Sequence, residues 1–128
     1  MASDSLHEPA EQLKPQTIEL HRAIVSLMEE LEAIDWYSQR IDATKDEELR
    51  KIISFNREEE KVHASMVFEW IRRHDPEFAA AMPRFLFKEG SIADLAEAAE
   101  HGESSGEPAS GAGNADGSLG IGSLKGKP

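Results

Sequence analysis

Residues 55–70 read FNREEEKVHASMVFEW, and this stretch sets three consecutive glutamates inside a run of apolar residues at helical spacing. A helix places Glu60 and His63, which are three positions apart, about one turn from each other on the same side. The surrounding pattern predicts one long helix that ends near His74. Its apolar positions are Leu49, Ile52, Ile53, Phe55, Val62, Met66, Val67, Trp70 and Ile71. A carboxylate and an imidazole therefore lie together within the apolar pattern of this helix.

Another amphipathic helix precedes this one and is predicted to run from about Pro15 to about Arg40. Its apolar residues recur at three- and four-residue steps, at Leu20, Ile24, Leu27, Leu31 and Ile34. The stretch DATKDEE between the two helices is short, and Thr44 or Asp46 is suited to cap the helix that follows. So short a connection predicts an antiparallel two-helix hairpin, and hence an all-α fold.

The chain after the hairpin predicts shorter elements. Asp75 and Pro76 end the long helix and start a third, shorter one, which Pro83 should interrupt. A last amphipathic segment follows, with Ser91 and Asp94 at the spacing of a capping box. The hairpin is therefore followed by short C-terminal helical structure.

Composition divides the chain into four segments. Residues 1–14 form a lead-in, which Pro9 and the following Pro15 limit to at most a short turn, and residues 15–100 form the helical hairpin with its short third helix. Residues 101–117 are rich in Gly and Ser, which predicts a disordered linker. Residues 118–128 return to apolar residues spaced by glycine, which is typical of a short peptide that binds a groove on another protein. A disordered terminus without a partner is the alternative.

The charge balance excludes several classes of function. The chain has 128 residues, of which 25 are acidic and 14 basic, for a net charge of -11. Nucleic acid and anionic membranes would repel such a chain, so neither is expected as a partner. There is no cysteine, so any metal site must use oxygen and imidazole ligands. No apolar stretch approaches the roughly 20 residues of a membrane span, and no signal peptide is evident, so we expect a soluble intracellular protein.

The hairpin alone is too small to be stable. Two helices bury too little apolar surface to offset the entropy lost on folding, so we expect a partner, and the simplest is a second copy. In carboxylate di-metal bundles, two helices contribute one Glu each and two others contribute a Glu-x-x-His unit each. This chain supplies one of each kind, which is half of such a site. A dimer would form a ferritin-like four-helix bundle and complete both the core and the ligand set.

Three glutamates of the first helix are candidates for the missing carboxylate, namely Glu29, Glu30 and Glu32. With about 100° of rotation per residue, Glu30 lies about 80° from the centre of the apolar stripe, Glu32 about 110° and Glu29 about 170°. Glu30 is the best candidate. Tyr37 follows two turns later on the same edge, where its hydroxyl can donate a hydrogen bond to a ligating carboxylate. Glu29, Glu32 and Trp36 share the other side, which would suit a weaker, more hydrated cation.

Simpler interpretations of these residues remain open. Glu-x-x-His spacing occurs by chance in many charged helices and then marks a solvated face. His63 as a core histidine with a hydrogen-bonded partner is another interpretation. Two features favour the metal site, because Val67 and Trp70 continue the same side beyond His63 and a second acidic cluster lies on the facing helix. Glu58 and Glu59 are interpreted as surface charge.

Four stretches of the sequence form a distinctive set: HEPAEQL, HRAIVSLMEELEAIDWYSQR, REEEKVHASMVFEWIRR and, near the C-terminus, SLGIGSL. Together they closely resemble the encapsulated ferritins, which are ferritin-like ferroxidases carried as cargo inside encapsulin shells. The resemblance covers the hairpin and the extreme C-terminus, is looser across the third helix and is absent from the linker.

The resemblance implies a di-iron centre at a dimer interface, with two irons per dimer. The residues that hold the irons, from both chains, would be Glu30, Glu60 and His63, with Tyr37 nearby. Two positions depart from the family pattern. Pro15 interrupts what relatives tend to run as one continuous first helix, and Val62 stands where they often carry an acidic residue. Neither position is a ligand in the family pattern, so the departures leave the iron site intact.

The resemblance also implies an outer site through which metal enters, open to calcium or another divalent cation and formed by Glu29, Glu32 and Trp36. Dimers would assemble into a ring-shaped decamer. Residues 118–124 would bind the encapsulin shell protein. The protein would then reside in an encapsulin nanocompartment of the bacterial cytoplasm.

These observations predict a ferroxidase that oxidises Fe(II) to Fe(III) with dioxygen at a di-iron centre shared by two subunits, and that delivers iron for mineral storage in the compartment. Carboxylate and imidazole ligands suit iron that cycles between two oxidation states. A hairpin of this size cannot enclose a mineral, so storage has to happen elsewhere. Two alternatives stay open: a non-catalytic metal-binding adaptor that docks on the shell, and another di-metal enzyme, such as a peroxide-consuming manganese protein.

Overall fold

The computed structural model describes residues 5–105 of the chain. These residues fall into two compact units, with the boundary after Pro76. The first unit holds a 3₁₀ turn, Ala10–Gln12, and two long helices, α1 (Pro15–Ala43) and α2 (Glu47–His74). No strand occurs within the described residues, so the predicted all-α class is confirmed.

Helices α1 and α2 form the antiparallel hairpin that the sequence predicts. α1 begins at Pro15, where the missing N–H removes no intrahelical bond. The Asp46 carboxylate caps α2 as expected, since its Oδ1 accepts the Leu49 N–H at 3.0 Å. Arg50 closes the connection, because its Nε donates to the Ile41 carbonyl at 3.1 Å and satisfies a group that the end of α1 leaves free.

The hairpin buries few residues. Among its described residues only Ala64 and Ile71 are buried, and both belong to α2. Many large apolar side chains of α1 and α2 stay exposed, namely Ile24, Leu31, Trp36, Leu49, Ile52, Phe55, Val62 and Met66. A single hairpin therefore leaves much of its apolar surface in water, as its size predicts. Within residues 5–105, no helix has both the length and the apolar character needed to cross a membrane.

The second unit consists of short helices. It holds most of α3 (Pro76–Ala81), a 3₁₀ turn at Met82–Arg84 and α4 (Ile92–Ser105). Pro83 falls in the 3₁₀ turn, so the predicted interruption is found. Ser91 caps α4, because its Oγ accepts the Asp94 N–H at 3.3 Å.

Helix α4 extends farther than the composition indicates. It ends at Ser105, whereas the linker was predicted to begin at residue 101. The Ala- and Glu-rich residues before that point are strong helix formers, and a helix once started adds further residues at low cost. The predicted boundary at residue 101 therefore falls inside the helix. The rest of the linker and the segment 118–128 lie outside the described residues.

Candidate metal centre

Glu60 lies in the row of α2 that faces α1. Positions four and seven residues apart share one side of a helix, and this row also contains Ile53, Ala64 and Ile71, of which the last two are buried. His63 lies at the edge of the row, about 60° around the helix from Glu60. The Glu-x-x-His unit thus directs the Glu60 carboxylate toward α1 and leaves the His63 imidazole at the edge of the interface between the two helices.

Glu30 is brought to this point by the antiparallel pairing of the helices. At one end of the hairpin, Gln16 Nε2 donates to the His74 carbonyl at 3.2 Å. At the other end, Arg50 bonds to the carbonyl of Ile41. Each step toward the C-terminus of α1 is matched by a similar step toward the N-terminus of α2. This register places Glu30 level with the Glu-x-x-His unit of the facing helix.

Glu30, Glu60 and His63 meet in the structure. The Nδ1 of His63 is 3.3 Å from Oε1 of Glu60 and 3.8 Å from Oε1 of Glu30. One ligand atom of each residue lies within 4.8 Å of the others, and no other His, Asp or Glu side chains in residues 5–105 form such a group of three. The side chains of Glu30, Glu60 and His63 are 25%, 22% and 44% exposed, respectively. Two carboxylates and an imidazole form a donor set suited to iron and its neighbours in the first transition row.

The two carboxyl groups titrate as a pair. Hydrogen bonding with Glu60 raises the pKa of Glu30, and partial burial and the charge of Glu60 raise it further. The pKa of Glu60 is lowered, first by the hydrogen bond from Glu30, with a further contribution from His63. The opposite directions describe one proton held between two carboxylates, on the Glu30 side, rather than two independent groups. Where the pair holds that proton, a cation that binds both oxygens competes with it.

A groove between the two helices opens beside His63. Its volume is about 370 Å³, and its lining residues are Glu19, Arg22, Ala23, Ser26, Met66, Val67 and Trp70. Met66, one turn after His63, is 62% exposed. Sequence reasoning did not single out this groove, because it combines sides of two helices. The site therefore borders apolar surface that a single chain leaves uncovered.

The other predicted site residues are not members of this group of three. Tyr37 is half-buried, and within the described residues its ring contacts Arg40, whose guanidinium carbon lies 5.7 Å from the ring centroid. Glu29 is exposed, Glu32 is half-buried and Trp36 is 48% exposed. No third ligating side chain of residues 5–105 joins Glu29 and Glu32. The predicted outer site is thus a surface feature of α1 alone.

Comparison with known proteins gives a consistent set of relatives. The family model described as EncFtn-like matches residues 5–89. The chain is 54% identical to the encapsulated ferritin-like protein of Rhodospirillum rubrum, over 98% of this chain and 91% of that protein. It is 42% identical to the ferritin-like protein of Thermotoga maritima, over 93% of this chain and 96% of the relative. It is also 43% identical to the encapsulin nanocompartment cargo protein EncC of Myxococcus xanthus, over 48% of each chain.

A solved structure is similar in fold as well as in sequence. The crystal structure of a protein from Nitrosomonas europaea superposes with a TM-score of 0.67 at 50% identity. The alignment covers 70% of this chain and 98% of that chain.

Proposed function

Because the chain belongs to the EncFtn-like family, we propose that it is a ferroxidase, an enzyme that oxidises Fe(II) to Fe(III) with dioxygen. The observation that carries the proposal is the cluster of Glu30, Glu60 and His63. Anionic oxygen ligands favour the more highly charged ferric ion, and imidazole suits iron as well. Iron bound by these residues supplies the electrons that reduce dioxygen. The protein supplies the spacing of the ligands, charge compensation and access.

The metal centre is proposed to form between two subunits. One chain offers half of the ligand set found in carboxylate di-metal bundles. His63 is 44% exposed, and the groove and Met66 beside it leave apolar surface in water. A second hairpin packed on this face would cover the groove and add a second copy of the three ligands, for two irons per dimer. Bound iron would stabilise the dimer by mass action.

A second apolar surface supports assembly beyond the dimer. Ile24 and Leu31 of α1 are 46% and 53% exposed. They lie about 140–180° around α1 from Arg22 and Ser26, which line the groove. One chain therefore has two different uncovered surfaces, and two different interfaces per chain allow dimers to join into a closed ring. We propose a ring-shaped decamer.

The remaining predicted site residues receive proposed roles in iron delivery. Exposed carboxylates attract hydrated cations, so Glu29 and Glu32, with Trp36, are proposed as the outer site through which iron enters. Calcium or another divalent cation would bind there as well. Tyr37 is proposed to donate a hydrogen bond to a ligating carboxylate once the dimer has formed.

The enzyme is proposed to work inside an encapsulin nanocompartment of the bacterial cytoplasm. Two of the relatives are named as an encapsulated protein and as an encapsulin cargo protein. Residues 118–124, SLGIGSL, are proposed to bind the shell, with residues 101–117 acting mainly as a linker. Many copies of so short a peptide on one ring would compensate for weak single contacts. Oxidised iron would be stored in the compartment, because a pair of hairpins cannot enclose a mineral.

Anaerobic loading with Fe(II), followed by admission of oxygen, tests the proposal. Native mass spectrometry should find two irons per dimer and a shift from monomer to dimer on loading. Absorbance should then record the formation of Fe(III). The variants Glu30→Ala, Glu60→Ala and His63→Ala should each lose bound iron. Glu59→Ala, which removes an exposed glutamate of the same helix, is the matched control and should bind iron as the wild type does.

The outcomes separate the alternatives. Undiminished iron binding in all three variants of the cluster would rule the site out. Iron that binds at the cluster but stays ferrous in oxygen would instead support a non-catalytic metal-binding cargo protein.

A further inference from the structure

The two halves of the hairpin are held together differently. Both buried residues, Ala64 and Ile71, lie between the candidate metal centre and the C-terminus of α2. Between the metal centre and the connection of the helices, no residue of α1 or α2 is buried. Close packing of buried side chains therefore does not fix the position of α2 against α1 in that half.

Two arginines of α2 supply polar contacts in the loosely packed half. Arg50 bonds to a carbonyl group at the end of α1, as described above. Arg57 Nη1 donates to Ser38 Oγ of α1 at 3.2 Å, and the Arg57 side chain is 27% exposed. Among the described residues between Arg50 and His63, this is the one side-chain hydrogen bond between the two helices besides the bond that joins the carboxyl groups of Glu30 and Glu60 within the cluster itself.

We propose that Arg57 is a positioning residue of the metal centre, an inference that rests on the proposed metal-binding function. Its bond to Ser38 fixes α2 against α1 one turn before Glu60, so that Glu60 and His63 stand level with Glu30. Arg57 does not touch the metal and acts through the helix. The ligand atoms lie within 4.8 Å of one another, close to the span of about 4 Å that one ion bridges at typical metal–ligand distances. A small slide of α2 would therefore carry them out of reach of a single ion.

The sign of the effect separates positioning from electrostatics. A guanidinium near the cluster repels a divalent cation, so removal of its charge would by itself strengthen metal binding. Loss of positioning weakens metal binding instead. Arg57→Met removes both the charge and the bond, whereas Ser38→Ala removes the bond and leaves the charge.

Co(II) is the probe and is added to the metal-free full-length protein. The visible absorption of the bound Co(II) gives its affinity and reports its ligand geometry, and native mass spectrometry follows the dimer. Arg57→Met and Ser38→Ala should each weaken Co(II) binding about tenfold, the lower end of the range for residues that orient metal ligands, and should shift the Co(II) spectrum. The double variant should be no weaker than Arg57→Met, since both changes break one bond. Arg72→Met, whose arginine bonds to Glu69 within α2, is the matched control and should bind as the wild type does.

Each result decides a different claim. Unchanged or tighter Co(II) binding in Arg57→Met, or additive losses in the double variant, would overturn the positioning role and leave the metal site in place. Equal Co(II) binding by the wild type and by Glu60→Ala would overturn the metal site and this inference with it. Far-ultraviolet circular dichroism checks that the helices persist. Ser38→Ala changes one hydroxyl, and it keeps the test decisive if Arg57→Met fails to fold.

Discussion

Substitution of Met66 tests the face on which the second subunit is proposed to pack. The residue is 62% exposed in the single chain and lines the groove beside His63. Burial of a whole methionine side chain contributes about 1.5–3 kcal/mol, so covering this 62% contributes about 1–2 kcal/mol per chain. A two-fold interface contains the residue twice, so Met66→Ala should weaken the dimer by about 2–4 kcal/mol. The dissociation constant should therefore rise about 30- to 1,000-fold.

Sedimentation equilibrium under anaerobic conditions, with and without Fe(II), measures this dissociation constant. The helical content of the Met66→Ala monomer should match that of the wild type, because the side chain is exposed there. Leu31→Ala is the control, since Leu31 is 53% exposed on the opposite face of the hairpin. It should leave the dimer intact and weaken assembly beyond it. A dimer constant for Met66→Ala within about threefold of the wild type would refute the packing of a second hairpin on this face.

Three further predictions follow from the site and the tail. The raised pKa of Glu30 predicts that metal binding weakens as pH falls through that pKa, where the carboxyl keeps its proton, and levels off above it. Calorimetry in buffers of different ionisation enthalpy should count more protons released per metal below that pKa than above it, and fewer in Glu30→Gln. Glu29→Ala or Glu32→Ala should change the oxidation rate while two irons per dimer stay bound, and unchanged rates would return both residues to surface charge. Truncation after Gly117 should keep ferroxidase activity and abolish co-purification with a co-expressed encapsulin shell, and a fluorescent protein fused to residues 101–128 should be carried inside. Encapsulation of the truncated chain at full efficiency would contradict the role of the tail.

Helical periodicity predicted the hairpin and the first-helix member of the cluster from the sequence. Asp46 and His74 mark the start and end of α2 where capping chemistry and Asp75-Pro76 placed them. Glu30 could be preferred to Glu29 and Glu32 because a helix turns about 100° per residue, so the sequence position of a residue gives the side of the helix on which it lies. The structure brings Glu30 together with the Glu-x-x-His unit at the expected place. Its role as a metal ligand stays a prediction.

Other features had no periodic signal to reveal them. The bond between Arg57 and Ser38 depends on the rotamers of two side chains 19 positions apart. Helix α4 runs through Ser105 because helix growth is cooperative, whereas composition describes residues one at a time. The dimer stays a prediction as well, since exposed side chains such as Met66 acquire their neighbours from a second chain.

The uneven burial of the hairpin has a consequence for its lifetime in the cell. Local opening of a metal-free chain would begin at the connection of the helices, where few contacts exclude water, while Ile71, which is 1% exposed, holds the other end. Iron bound between Glu30 and Glu60 would cross-link the two helices, at the point where the half of the hairpin without buried residues meets the half that contains them. Iron supply would then set how much of the chain opens to proteases, and chains without metal would be removed first.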